Sequence, residues 1–490
     1  MKIRLKGHEY RYAVEQMVST LFPGEKPEYA EDASAELYVS LSRTEKQVTA
    51  LCRFAAGEGI WQGRANADSR CLSDTTAADS VCQKIIKTAI YRAVLKSGYA
   101  RPPWGALTGV RPGKLMHGIM QTTEDRNAAI SLFCDEYDVS RRRAELCYET
   151  STYTIEAEKS LSDRDICLYV GIPFCPTRCA YCSFVSQSVE KSTALIEPFF
   201  SSLMRELSAT AEAAKKLGLN VVSIYFGGGT PTTLSAAQLN TLCREISEKF
   251  SLSSLREYTV EAGRPDTITA EKLQVLKSHG VDRVSVNPQT MRDSVLETIG
   301  RKHTAEDVER ALKTVREVGG FAVNMDLIAG LPSDDVCGFK ESFDHVLKLE
   351  PENITVHTLS LKRGSGIVRN GTEIPSPEEV SEMLEYAYMK LEGQGYSPYY
   401  LYRQKNMSGG FENTGWTKEG HVNLYNICMM EELCTILAVG GGASTKLIRR
   451  DGGKNGRISD PKYPLEYINQ IDKICSDRKK INDFYEMWWK

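Results

Sequence analysis

ICLYVGIPFCPTRCAYCSF, residues 166 to 184, runs from a short apolar segment straight into a loop that holds Cys175, Cys179 and Cys182. An apolar run of this length, closed by Gly and Pro, reads as a buried strand. Five more runs of the same kind follow: VVSIYFGGG (221–229), EYTVEAG (257–263), VDRVSVN (281–287), AVNMDLIAGLP (322–332) and NITVHTLS (353–360). The segments between them carry helical periodicity, as in TALIEPFFSSLMRELSATAEAAKKLG and TAEDVERALKTVREVGG. Strands alternating with helices imply an α/β fold with a parallel sheet and right-handed crossovers. Six units rather than eight predict a partial (β/α)6 TIM-like barrel, open on one side. In such folds ligand chemistry gathers at the C-terminal ends of the strands.

The three cysteines fall at the first of those ends. A CxxxCxxC spacing lets three thiolates converge on one small face, and soft thiolates select zinc or an iron–sulfur cluster. A closed zinc site wants a fourth ligand. Position 184 is Phe, and the next cysteine is Cys243. The residues alone leave three readings: a [4Fe-4S] cluster with one open iron, a zinc site completed from a distance, or unmetallated thiols.

The other strand ends are polar or glycine-rich. GGGTPT, 227–232, permits close backbone approach, by a ligand or by a tight turn; no GK[ST] follows, so it is not a P-loop. Glu261, Gln289 after Asn287, and Asp326 stand at the next strand ends, and Arg301 lies beyond the fourth strand. A single carboxylate at a strand tip reads equally well as a cap. Several polar groups around one barrel mouth read as a binding site.

Beyond the barrel, the 490-residue chain exceeds one ordinary domain. A charged fraction of 26% with a net charge of −3 excludes a general nucleic-acid or anionic-membrane binder. No run approaches the length of a spanning helix, and the N-terminus has no apolar leader region, so a cytoplasmic protein is expected. In a reducing compartment its 14 cysteines are free thiols or metal ligands. Residues 1–164 read as an α+β domain: a helix over 10–22, strands over 36–41 and 47–54, and helices over 77–96, 123–137 and 140–161. The stretch 101–118, rich in Gly, Pro and base, reads as a loop. Residues 165–365 form the barrel, and 366–490 a mixed α/β domain. In that domain PYYLYRQKNM (398–407) is either an edge strand or a platform placing Arg403 and Lys405 for an anionic ligand. LKRGS offers Lys362 and Arg363 after the sixth strand.

The set YVGIPFCPTRCAYCSF, FGGGTPT, VEAGRPD, VNPQT, IGRKHT and NMDLIAGLP resembles the radical S-adenosylmethionine (SAM) enzymes, in the oxygen-independent coproporphyrinogen III oxidase group with its heme-chaperone relatives. The resemblance covers residues 165 to about 450. It implies that Cys175, Cys179 and Cys182 hold a [4Fe-4S] cluster whose open iron takes the amino and carboxylate groups of SAM. Tyr169 matches the tyrosine beside cluster and cofactor, a catalytic position, and Tyr181 the aromatic residue near the adenine. Gly228, Gly229 and Thr230 match the segment at the methionine amino group. Glu261, Gln289, Arg301 and Asp326 match the polar set around the amino, carboxylate and ribose groups. Ile328 matches a position lining the pocket, which in some members takes a second SAM.

The implied reaction is oxidative decarboxylation of two propionates of coproporphyrinogen III to the vinyl groups of protoporphyrinogen IX, with electrons from a reductant such as flavodoxin or ferredoxin. Two departures bear on it. The best-known oxidases continue CxxxCxxCxC where this chain has Phe184, whereas the heme chaperones carry a hydrophobic residue there. The chaperones bear HNxxYW after the barrel; here HVNLYN, 421–426, keeps only His421 and Tyr425. Heme binding and delivery is the alternative reading, and radical heme opening by methyl transfer a further one.

Overall fold

The computed structural model describes residues 1–489 apart from 31–34, 73–74, 110, 183–186, 363–364 and 405–406. Phe184, Arg363 and Lys405 therefore lie outside the described residues. Contacts divide the chain into two units, Met1–Tyr148 with Arg403–Phe411, and Glu149–Tyr402 with Glu412–Lys490.

The first unit carries a sheet of β1 (Lys2–Lys6), β2 (Glu28–Tyr29), β3 (Leu37–Arg43), β4 (Gln47–Ala56) and β5 (Gly59–Asp68), in the order β2-β1-β3-β4-β5. Helices Arg11–Leu21 and Thr75–Lys96 bury Val14, Met17, Ile86, Ile90 and Val94 in its core. Sequence patterning misses β5 because its buried positions are Gly63 and Ala65, which give no apolar alternation. Gly63 is small for a reason: a Cβ there would collide with the backbone of Ala89 and Ala93 on the covering helix. The stretch 101–118, expected to be loop throughout, contains the start of helix Pro112–Met120. Pro112 at the first helical position begins this helix rather than breaking it. Arg403 is buried, donates to the carbonyls of Leu107 and Gly410, and lies over the Trp104 ring. Its guanidinium is thus occupied within this unit.

The second unit contains β6 (Asp165–Ile172), the short pair β7 (Phe174–Cys175) and β8 (Gln187–Ser188), β9 (Asn220–Gly228), β10 (Glu257–Glu261), β11 (Arg283–Ser285), β12 (Ala322–Ala329) and β13 (Asn353–Thr358). β6 and β9 to β13 are the six expected strands, side by side and parallel in sequence order. The unit is a partial TIM-like barrel. Its sheet continues beyond both ends of the six. β14 (Ser397–Tyr402) and β15 (Asn413–Thr417) extend it antiparallel past β13, with β14 at the edge. On the other side β16 (Thr435–Gly440) lies parallel to β6, followed by β17 (Ser444–Leu447) and β18 (Gly456–Ser459). Every residue of β16 is buried, as in a strand covered on both faces.

Register decides what faces the barrel interior. Tyr169 pairs with Tyr225, Tyr225 with Thr259, Thr259 with Arg283, Arg283 with Ala322, and Asn324 with Asn353. With period two, the same face then carries Cys167, Glu257, Glu261, Asp326 and His357. Among the described residues no helix is long and apolar enough to cross a membrane.

Candidate functional site

The cysteine loop leaves the C-terminal end of β6 and is tied down on several sides. The Gln187 amide donates to the Pro173 carbonyl (3.0 Å), the Ala180 amide to Ile299 (2.9 Å), the Gly366 amide to Ala180 (2.7 Å), and the Thr177 hydroxyl to Gly300 (3.0 Å). Cys175, Cys179 and Cys182 are all partly exposed along this loop.

The glycines after β9 seat that loop. The amides of Gly229 and Thr230 donate to the carbonyls of Ile172 and Phe174, each at 2.7 Å. A Cβ on Gly229 would lie 2.5 Å from the Phe174 oxygen and 2.9 Å from the Cys175 sulfur. Gly228 has φ of 107°, which only glycine adopts freely. The Thr230 hydroxyl donates to the Cys175 sulfur at 3.5 Å. One role of GGGT is therefore to let the strand end and the thiol loop touch.

Two carboxylates on the inward face are driven apart in acidity: Glu261 ends β10, whereas Asp326, expected at a strand end, lies within β12, two strands away. Burial raises Glu261 to about 7, with the Asp326 charge adding to the rise, while the Tyr225 hydroxyl donates to it at 2.6 Å and opposes it. Asp326 is also penalised by burial, yet His357, whose Nε2 is 3.6 Å away, and the Asn324 amide at 2.8 Å hold it below the ordinary carboxylate value. One group is thus poised to exchange a proton near neutrality, and the other stays ionised.

Gln289 has φ of 70°, held there by its amide donating to Asp326 and its carbonyl accepting from Ile328. Arg301, buried, donates from Nη1 to the Asn287 carbonyl (2.6 Å) and from Nη2 to the Tyr181 hydroxyl (3.3 Å). Burial disfavours its charge, but the Tyr181 phenol and the Cys179 thiol hold its pKa above the ordinary value. Arg301 therefore links the cysteine loop to the polar strand ends. Ile328 sits in an apolar cluster with Val295, Ile299 and Leu331, against which Tyr181 packs. The Asn287 Oδ1 and Arg301 Nε are buried without a hydrogen-bond partner.

Three contributors escaped the sequence reading. Tyr225 and His357 hold the two carboxylates, and both lie on the inward face that strand register alone identifies. The third is the helix Leu424–Glu431, which plugs the barrel. The Glu257 carboxylate accepts from the amides of Leu424 and Tyr425, each at 2.7 Å, as an anion does at a helix N-terminus. Tyr425 then stacks on Tyr225, with centroids 4.3 Å apart, and on Tyr169, 6.1 Å away. Tyr169, placed by sequence beside the cofactor, is one member of this stack; burial raises its pKa. His303, expected only as part of IGRKHT, is buried with neither ring nitrogen partnered, and burial, with Arg301 and Arg264 beside it, pushes it down to about 3.

The radical SAM superfamily profile matches residues 169–346. The oxygen-independent coproporphyrinogen-III oxidase-like protein HemZ of Bacillus subtilis (strain 168) is 36% identical over 98% of this chain and 97% of its own length. The chain belongs to the HemZ family of radical SAM proteins. The heme chaperone HemW of Bacillus subtilis is 33% identical over 51% of this chain and 67% of its own length. The solved coproporphyrinogen III oxidase HemN of Escherichia coli, described as a radical SAM enzyme, matches with a TM-score of 0.52 at 20% identity. It covers 69% of this chain and 82% of the HemN chain, and shows the shared fold.

Radical SAM proteins use a [4Fe-4S] cluster and SAM, and the residues of this HemZ-family chain fit both. The donor set is three thiols on one eight-residue stretch beside a backbone seam too tight for any side chain. Arg301, tied to Tyr181 of that stretch, and the unpartnered Asn287 Oδ1 and Arg301 Nε leave buried polar groups for a polar ligand.

Proposed function

We propose that this protein is a radical SAM enzyme that converts coproporphyrinogen III to protoporphyrinogen IX without oxygen. The observation that carries the reading is the gathering of Glu261 and Asp326 on one inward face, the first held by the Tyr225 hydroxyl at 2.6 Å and the second by His357 at 3.6 Å. Likeness over the whole chain to an oxidase-like protein supports it further.

In this reading Cys175, Cys179 and Cys182 hold the cluster. When bound, cluster and SAM supply one-electron reduction and hydrogen-atom abstraction. The chain supplies position. Gly228, Gly229 and Thr230 offer backbone and hydroxyl groups to the methionine amine; Asp326, ionised, and Arg301, cationic, meet opposite charges; Gln289 and Glu261 bind the remaining polar groups. Tyr181 packs the adenine against the Ile328 cluster, and Tyr169 closes the interior side. Glu261, near its own pKa, can hold or release a proton there. The stack of Tyr169, Tyr225 and Tyr425 keeps water out of the barrel below the site. A flavodoxin or ferredoxin in the cytoplasm would supply the electrons.

A second reading, heme binding, has one observation in its favour. A cavity of about 430 Å³ opens at the N-terminal ends of the strands, lined by His421, Arg256, Arg283 and Leu424. One experiment separates the two: anaerobic incubation of reconstituted protein with SAM, a reductant and coproporphyrinogen III. Protoporphyrinogen and carbon dioxide support the oxidase. Tight heme binding without turnover of any tetrapyrrole would replace it.

A further inference from the structure

Beneath the aromatic stack, three cysteines outside the cluster loop come together. Cys167 faces inward from β6, Cys428 lies on the plugging helix, and Cys434 precedes β16. Their sulfurs all lie within 4.8 Å of one another, and the Cys167 and Cys434 sulfurs are 3.7 Å apart. Exposure is 0%, 0% and 2%, and the surroundings are Ala157, Leu161, Val222, Ile427 and Ile436.

This spacing suits a single ion. Sulfurs bonded to one metal at about 2.3 Å stand roughly 3.8 Å apart, whereas thiolates on different irons of a cubane point outward from separate corners and stand farther apart. All three donors are soft sulfur, and among the described residues no His, Asp or Glu joins the group. Soft sulfur donors select ions of the zinc and monovalent-copper class over magnesium, calcium or manganese. Tyr425, 3% exposed and with its hydroxyl buried without a hydrogen-bond partner, sits one turn before Cys428.

We propose that Cys167, Cys428 and Cys434 form a second, structural site for one thiophilic d10 metal ion. The ion would tie together β6, the plugging helix and the entry to β16, three elements far apart in sequence. Because the site is sealed, it would load as the chain folds. By fixing the helix it would fix Tyr425, and with it the stack under the SAM site. The proposal does not depend on which tetrapyrrole the protein handles.

The test uses the full chain, made and reconstituted anaerobically, in three forms: wild type, the triple variant Cys175→Ala/Cys179→Ala/Cys182→Ala, and Cys428→Ala. Each is produced in medium supplied with Zn(II) or with Cu(I), so that the site fills during folding, and is then challenged with a competing chelator, with metal and iron counted by mass spectrometry and folding followed by circular dichroism. Expected is one tightly held equivalent of one of these ions in wild type and in the triple variant. Cys428→Ala should lose that equivalent at unchanged iron content, with at least tenfold weaker retention against the chelator. Cys434→Ala serves the same purpose should Cys428→Ala not fold. Loss of the ion from the triple variant, binding unaffected by Cys428→Ala and Cys434→Ala, or a Cys167–Cys434 disulfide with no bound metal would each overturn the proposal.

Discussion

Replacing Gly229 by Ala tests the seam on which the candidate site rests. The added Cβ would lie 2.5 Å from the Phe174 carbonyl oxygen and 2.9 Å from the Cys175 sulfur, where ordinary contact begins at 3.4 Å. The first of these neighbours is backbone, held by the Thr230 amide at 2.7 Å, so it cannot swing aside. The two segments must separate by about 1 Å, which strains two hydrogen bonds and displaces a proposed cluster ligand. Overpacking of this kind costs about 1–3 kcal/mol, or roughly 1–4 °C in Tm for a unit of this size. The cluster should suffer more than the fold, because a sub-ångström error at one thiolate affects iron directly. Anaerobic reconstitution, with iron and sulfide counted per chain, should give about four of each in wild type and well under half in Gly229→Ala. Gly393→Ala is the control: nothing lies within 4 Å of its added Cβ, and iron and Tm should hold. Full iron in Gly229→Ala with an unchanged Tm would refute the close-approach reasoning.

Further expectations concern the same mouth. Cys179→Ala should abolish 5′-deoxyadenosine production from SAM while leaving circular dichroism unchanged; undiminished production would remove Cys179 from the proposed ligand set. Glu261 has its folded pKa raised from 4.5 to about 7, so the folded state keeps a proton that the unfolded chain has already released. Stability without cofactor should therefore fall as pH rises between those values and level off above about 7, by roughly 1–3 kcal/mol after allowing for partial exposure. Glu261→Gln should flatten this slope in chemical denaturation; an unchanged slope would assign it elsewhere. His357→Gln removes the group that offsets burial at Asp326, and the Asp326 carboxyl should rise toward or above its ordinary value, read as a carbonyl stretch in difference infrared spectra. Arg301→Lys keeps charge but loses the fork joining Asn287 to Tyr181, and should weaken SAM binding by about tenfold or more; unchanged affinity would make Arg301 merely structural.

The parallel strands were legible because each is a short apolar run closed by Gly or Pro, and all six appear where those runs stand. β5 was not legible, since Gly63 and Ala65 carry no pattern. Nor was the helix at Pro112, where proline served as a start signal inside a stretch otherwise typical of loops. Cys175, Cys179 and Cys182 announce themselves by spacing within eight positions. Tyr225 and His357 do not, since a tyrosine or histidine inside an apolar run is also ordinary core.

The sequence alone determined what depends on near neighbours along the chain: the strand and helix alternation, the cysteine loop, the glycines after β9 and the polar residues at strand ends. Tertiary structure decided what depends on residues far apart. It placed Tyr225 and His357 against the carboxylates, drove the helix at Leu424 into the barrel, extended the sheet with β16, and gathered Cys167, Cys428 and Cys434 into one group. The reason is physical. Local pattern sets which face of an element is buried, but only packing sets which buried groups meet, and both the split acidity of two carboxylates and the meeting of three thiols are properties of such encounters.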